Sequence, residues 1–71
     1  RIDMVVETST IIYVLELKLS NNGGVNAAAE QIKAKRYAEP FKADKRKIIA
    51  LAIELEDLGK GLIDWKEVSF A

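Results

Sequence analysis

The sequence contains no cysteine and no histidine. Without cysteine there is no disulfide framework, no thiolate nucleophile and no sulfur-bound zinc. Without histidine, Ser-His-Asp, Cys-His and His-ligated metal chemistry are excluded. Any catalysis must run on carboxylates, lysine, hydroxyls or an oxygen-bound metal. Proline occurs once and tryptophan once. The longest apolar run, Ile48 to Ile53, falls far short of the ~20 residues that span a bilayer. The chain opens on Arg1, shows no signal peptide, and reads as an excised piece of a longer, cytoplasmic protein.

What is present fits one small globular domain. At 71 residues, 49% hydrophobic and 31% charged, the chain is too ordered in composition for a disordered tail. A chain of this size buries only about 60% of its unfolded surface, so it is marginal alone. Eleven basic and eleven acidic residues cancel overall. They are unevenly spread: Lys33, Lys35, Arg36, Lys42, Lys45, Arg46 and Lys47 stand in one segment against only Glu39 and Asp44. Such a segment can contact a polyanion, or simply form a solvated face.

The pattern along the chain predicts the order β-β-α-β-β. Ile2 to Glu7 alternates apolar and polar residues and is rich in β-branched side chains, a strand signature. Thr8-Ser9-Thr10 makes a turn, and Ile11 to Leu19 is a second strand. Ser20-Asn21-Asn22-Gly23-Gly24 breaks the pattern, with Asn22 or Asn26 as candidate caps for a helix from Val25 to about Tyr37. Val25, Ala28, Ala29 and Ile32 form its narrow apolar stripe. Pro40 limits continuation, and Ala43 to Arg46 is a polar loop. Lys47 to Leu55 is a strand whose apolar run suggests burial on both faces. Asp57 to Gly61 is a turn before a last strand, Leu62 to Phe70, whose Trp65 is expected in the core or at its rim.

Pairing the first two strands as an antiparallel hairpin fixes a register. If Ile2, Met4 and Val6 share a buried face with Tyr13, Leu15, Leu17 and Leu19, then Val6 opposes Tyr13, Met4 opposes Leu15 and Ile2 opposes Leu17. The other face then pairs Glu7 with Ile12, Val5 with Val14, and Asp3 with Glu16, with Lys18 two residues further along. Two carboxylates side by side repel unless a cation separates them. Lys18 can serve, and so can magnesium, which takes one or two carboxylates and keeps several waters. The Leu17 carbonyl is a candidate third oxygen. The plainer alternative is a solvated strand pair with Lys18 bridging two surface acids.

Asp3, twelve intervening residues, and then Glu16-Leu17-Lys18 is similar to the metal-site signature of the PD-(D/E)XK nuclease superfamily. The blocks Arg1 to Thr8, Tyr13 to Leu19, Ala29 to Lys33, Lys35 to Phe41 and Asp64-Trp65-Lys66 resemble one branch of it in the same order. That branch lies at the C-terminal end of bacterial AAA-ATPase-like proteins. The resemblance implies an α/β (α+β) fold, a truncated restriction-endonuclease-like mixed sheet forming one nuclease-like domain over residues 1–71. It implies magnesium, or manganese, held by Asp3, Glu16 and Leu17, with Lys18 as the catalytic lysine. Gln31 would be a polar residue turned toward the site, against a one-residue alternative of exposed helix surface. Tyr37 matches a family aromatic and is as well explained by packing as by DNA contact. Lys33, Lys35 and Arg36 would contact nucleic acid, DNA before RNA, through its phosphates.

The chain departs from the superfamily core, which begins with a helix and another strand before the hairpin and often draws a further acid from that helix. Those elements come from a removed upstream segment, from a partner chain, or from nowhere. An unpaired hairpin edge would favour a homodimer. Glu54 to Gly61 fits the family less closely than the other blocks. The competing reading is a non-catalytic interaction or dimerisation module that keeps the fold, and a third is a regulatory domain for an attached ATPase.

Overall fold

The computed structural model of the chain describes residues 2–58 and 60–69. Its elements run β1 (Met4–Glu7), β2 (Ile11–Leu19), a 3-10 turn (Ser20–Asn22), α1 (Gly24–Ala34), a second 3-10 turn (Glu39–Phe41), β3 (Lys47–Leu55) and β4 (Leu62–Val68). The four strands form one mixed sheet in the order β1-β2-β3-β4. β1 and β2 are antiparallel, β2 and β3 are parallel with α1 as crossover, and β3 and β4 are antiparallel. This is the expected α+β class and element order. The parts of the expected turn and last strand at Gly59 and Phe70 lie outside the described residues, as does Arg1.

The hairpin register is the one the hydrophobic pattern predicts: Met4 faces Leu15, Val5 faces Val14, Val6 faces Tyr13 and Glu7 faces Ile12. The burial is the reverse of what the pattern suggested. α1 lies on the face of Ile12, Val14 and Glu16, all sealed from solvent, whereas Met4 and Val6 on the other face are exposed. The hydrophobic count favours the Tyr13-Leu15-Leu17-Leu19 face, but topology decides. A parallel β-α-β crossover is almost always right-handed, which assigns the helix to one side of the sheet whatever the residues there.

Small residues make that side close-packed. Ala28 and Ala29 of α1 meet Ala50 and Ala52 of β3, and Ile32, Ile12 and Val14 fill the remaining space with Tyr37 and Val68. Burying side chains such as Ile12 or Ile32 stabilises the fold by about 1.5–3 kcal/mol each. Among the described residues a helix therefore covers β3 on one face only, and Ile49, Leu51 and Ile53 on the other remain half-buried. Trp65 pairs with Ile53 on the open face and is 57% exposed, so it belongs to neither core nor rim.

α1 also differs at its ends. No asparagine caps it; Gly23, at φ 100°, precedes the first turn without a side-chain cap. Glu54 of β3 takes over that role, accepting the Val25 N–H at 2.9 Å while Ser20 donates its hydroxyl to the same carboxylate. A carboxylate at a helix N-terminus satisfies a free donor and complements the helix dipole. Gly24, at φ 63°, leaves the room: a Cβ there would overlap the Glu54 carboxylate. The helix stops at Ala34, three residues earlier than expected, with Arg36 turned to φ 51°. Pro40 begins nothing helical beyond the short turn at Glu39–Phe41.

Candidate metal and catalytic site

The site forms just before β1 begins, beside the part of β2 that runs on past the hairpin pairing. β1 pairing stops at Met4, and Asp3 turns its carboxylate onto the partner strand, where Oδ2 accepts the Leu17 N–H at 2.9 Å. A strand residue exchanges its N–H and C=O along the same edge, so the Leu17 carbonyl faces the same gap as Asp3. Glu16 projects to the helix-covered face and is 2% exposed. Lys18, two residues along that face, places Nζ 3.7 Å from Glu16 Oε2.

Glu16 is held from the other side by a short chain of hydrogen bonds. Gln31, on α1, donates from Nε2 to the Tyr37 hydroxyl at 2.9 Å. Tyr37 donates in turn to Glu16 Oε1, also at 2.9 Å. Tyr37 lies in the segment after α1 and is 3% exposed, so its ring packs in the core while its hydroxyl reaches the acid. Spacing along the sequence carries no sign of this contact, because it depends on the chain turning back at Arg36.

Burial raises the Glu16 carboxyl above the usual carboxylate range, the Tyr37 hydrogen bond works against that shift, and the neighbouring Asp3 adds to it. Burial likewise raises the Tyr37 phenol, which remains a protonated donor at neutral pH. The site thus holds a carboxyl in an environment that disfavours its charged form, with Asp3 beside it and Lys18 in reach.

The donor set suits a hard divalent ion. Two carboxylates and a main-chain carbonyl are oxygen ligands of the kind magnesium takes while keeping waters. Among the described residues no group of three or more Asp, Glu, His or Cys side chains converges. A cation here would rely on the pair of carboxylates, the carbonyl and water.

The basic residues do not form one patch. Lys35 and Arg36 line a depression of about 540 Å³ together with Ile2, Tyr37, Glu39 and Pro40, next to the acids. Lys33 lines a different one, of about 520 Å³, between α1 and β4 with Ala29, Lys66, Glu67, Val68 and Ser69. Further along, Lys42 pairs with Glu39 at 2.7 Å. Arg46 is spent on structure: it grips Asp44 at 2.7 Å, Glu7 at 2.8 Å and the Thr8 carbonyl at 3.0 Å, tying the hairpin turn to the start of β3.

A family model of the PD-(D/E)XK nuclease superfamily matches residues 1–65. The chain belongs to that superfamily. The match covers both hairpin acids, Lys18, α1 and the basic segment, and its members are nuclease-like phosphodiesterases that generally use divalent metals on nucleic acid. The chain matches no curated protein and no solved structure. No helix among the described residues is long and apolar enough to cross a membrane.

Proposed function

We propose that this domain hydrolyses phosphodiester bonds in DNA with magnesium, manganese being able to substitute, at a site built from Asp3, Glu16, Leu17 and Lys18. The observation that carries the reading is the Asp3–Glu16–Lys18 arrangement: two adjacent carboxylates, one of them buried, with an ammonium 3.7 Å from the buried one. Asp3, Glu16 and the Leu17 carbonyl would hold the cation, whose charge compensates the acids. When bound, such an ion polarises a phosphate oxygen and lowers the pKa of a coordinated water.

The chain's own groups supply the rest. Lys18, 28% exposed, can both meet substrate and stay near Glu16. It orients the attacking water or takes its proton, and it offsets the charge that builds up on the phosphate. Lys35 and Arg36, on the rim of the depression beside Tyr37, bind backbone phosphates without reading sequence. Lys33 does so only if the strand also crosses between α1 and β4. Replacing Lys18 by alanine in the full-length protein should abolish plasmid nicking while leaving manganese binding; persistent nicking would remove this site from the reaction.

The domain reading for residues 1–71 has its support in the open face. Met4, Val6, Leu15, Leu17, Leu51, Ile53 and Trp65 make an apolar sheet surface on which no helix packs among the described residues. A helix lying there would complete the two-sided layering of the nuclease core, as the resemblance implies. The order of the blocks supports placement in the AAA-ATPase-linked branch, with an ATPase-like domain in the parent chain and a cytoplasmic setting.

The same face favours a second reading, a non-catalytic interaction or homodimerisation module. That reading predicts that Leu15→Lys breaks association and that Glu16→Ala does not affect it. Association that survives Leu15→Lys would dismiss it.

A further inference from the structure

We infer that Gln31 and Tyr37 are positioning residues that act as one directional relay, presenting Glu16 Oε2 for cation binding by capping Oε1. The inference rests on the metal-site reading above and deepens it.

The direction of the relay follows from donor and acceptor counts. A phenol has one hydrogen to give, whereas an amide nitrogen has two and accepts none. Gln31 Nε2 donates to the Tyr37 oxygen, so the single phenolic hydrogen points onward to Glu16 Oε1. With Oε1 so occupied, the second oxygen is the one facing Lys18, 3.7 Å away. The position of Tyr37 reinforces this. Its ring is sealed in the core between α1 and β2, so water cannot readily replace its hydroxyl.

A glutamate side chain otherwise has several rotamers, and locking it costs conformational entropy when a ligand binds. The relay settles that cost on folding, before any cation arrives. Hydrogen bonds of this kind behind a metal ligand commonly change affinity by about 10–100-fold. The relay also gives Gln31 a role at the site through another residue, with no need to touch substrate itself.

The test is manganese affinity, read by electron paramagnetic resonance on the full chain, with folding checked by circular dichroism. Tyr37→Phe keeps the ring and removes only the hydroxyl; it should weaken manganese about 10–100-fold with the fold retained. Gln31→Glu provides a second variant at a half-buried position that does not depend on core packing. Its carboxylate accepts where the amide donated, competing for the phenolic hydrogen, and it should weaken manganese whereas Gln31→Met does so less. In the Tyr37→Phe background the Gln31 changes should have no further effect, because there is no hydroxyl left to direct. Additive losses, or unaltered affinity in Tyr37→Phe, would overturn the relay. Glu16→Ala separates the two levels: affinity unaltered there would overturn the metal site itself, whereas affinity lost there and kept in Tyr37→Phe overturns the relay alone.

Discussion

Replacing Glu16 by glutamine should stabilise the metal-free protein at neutral pH while removing its response to magnesium. Glutamine keeps the shape of the side chain and an oxygen for the Tyr37 hydroxyl to donate to. Attraction to Lys18 at 3.7 Å is about 4 kcal/mol at an effective dielectric of 20. Repulsion from the neighbouring Asp3 acts in the opposite sense and outweighs it. Burial, at 2% exposure, is the largest influence and also disfavours the charge. Relief of that charge is expected to add about 1–2 kcal/mol, and each kcal/mol moves Tm by about 4–8 °C in a domain of this size.

The pH dependence has a definite sign. The folded Glu16 carboxyl sits above its usual value of 4.5. The folded state therefore holds this proton to higher pH than the unfolded chain does, and wild-type stability falls as pH rises from 4.5 through the raised value. The advantage of Glu16→Gln should grow as pH rises from 4.5 through the raised Glu16 value and shrink toward pH 4. Thermal melts of both proteins in chelator, from pH 4 to 8, measure this directly. Magnesium added afterwards should raise Tm for wild type and leave the variant unmoved. A lower Tm for Glu16→Gln at pH 7, or a gap that does not change with pH, would refute the conclusion that the surroundings of Glu16 disfavour its charge.

Other outcomes are expected elsewhere. Arg46→Ala should lower Tm by releasing Asp44, Glu7 and the Thr8 carbonyl together. The Arg46 contact holds the Asp44 carboxyl at about 2, below its usual 3.8, so this contribution is present above pH 3.8 and is lost as pH falls toward 2. Urea titrations of Asp44→Asn and wild type should accordingly converge at the acid end. Gly24→Ala should destabilise by about 1–2 kcal/mol in urea unfolding, since a side chain at φ 63° is strained and its Cβ displaces the Glu54 carboxylate that caps α1. Lys35→Ala should weaken DNA binding uniformly across sequences and reduce the slope of log affinity against log salt by about 1.

Strand identity and the hairpin register from Met4 to Glu7 were legible because alternation has a period of two and a slip of one residue inverts every side chain. β2 and β3 match their expected bounds for the same reason. The covered face was not legible. Tyr13, Leu15, Leu17 and Leu19 outweigh Ile12 and Val14 in apolar bulk, yet crossover handedness puts α1 over the latter. The consequence for function is large, since Glu16 becomes a buried acid under a helix where the pattern had suggested one on a polar, solvent-facing side.

The roles of Tyr37, Glu54 and Arg46 were out of reach for a related reason. Each makes its decisive contact across 21 to 39 residues of chain: Tyr37 with Glu16, Glu54 with Val25, Arg46 with Glu7. Local propensity holds no information on such contacts. Arg46 counted as one more charge in a basic segment until its three acceptors were visible, and Asn22 looked a better cap than a glutamate thirty residues on.

Anomalous diffraction from crystals of the protein soaked in manganese shows whether the open end of the β1–β2 hairpin is a divalent-cation site. One peak is expected within coordinating distance of an Asp3 oxygen, Glu16 Oε2 and the Leu17 carbonyl, absent in Glu16→Gln. No peak there, or a peak that persists in Glu16→Gln, would contradict it.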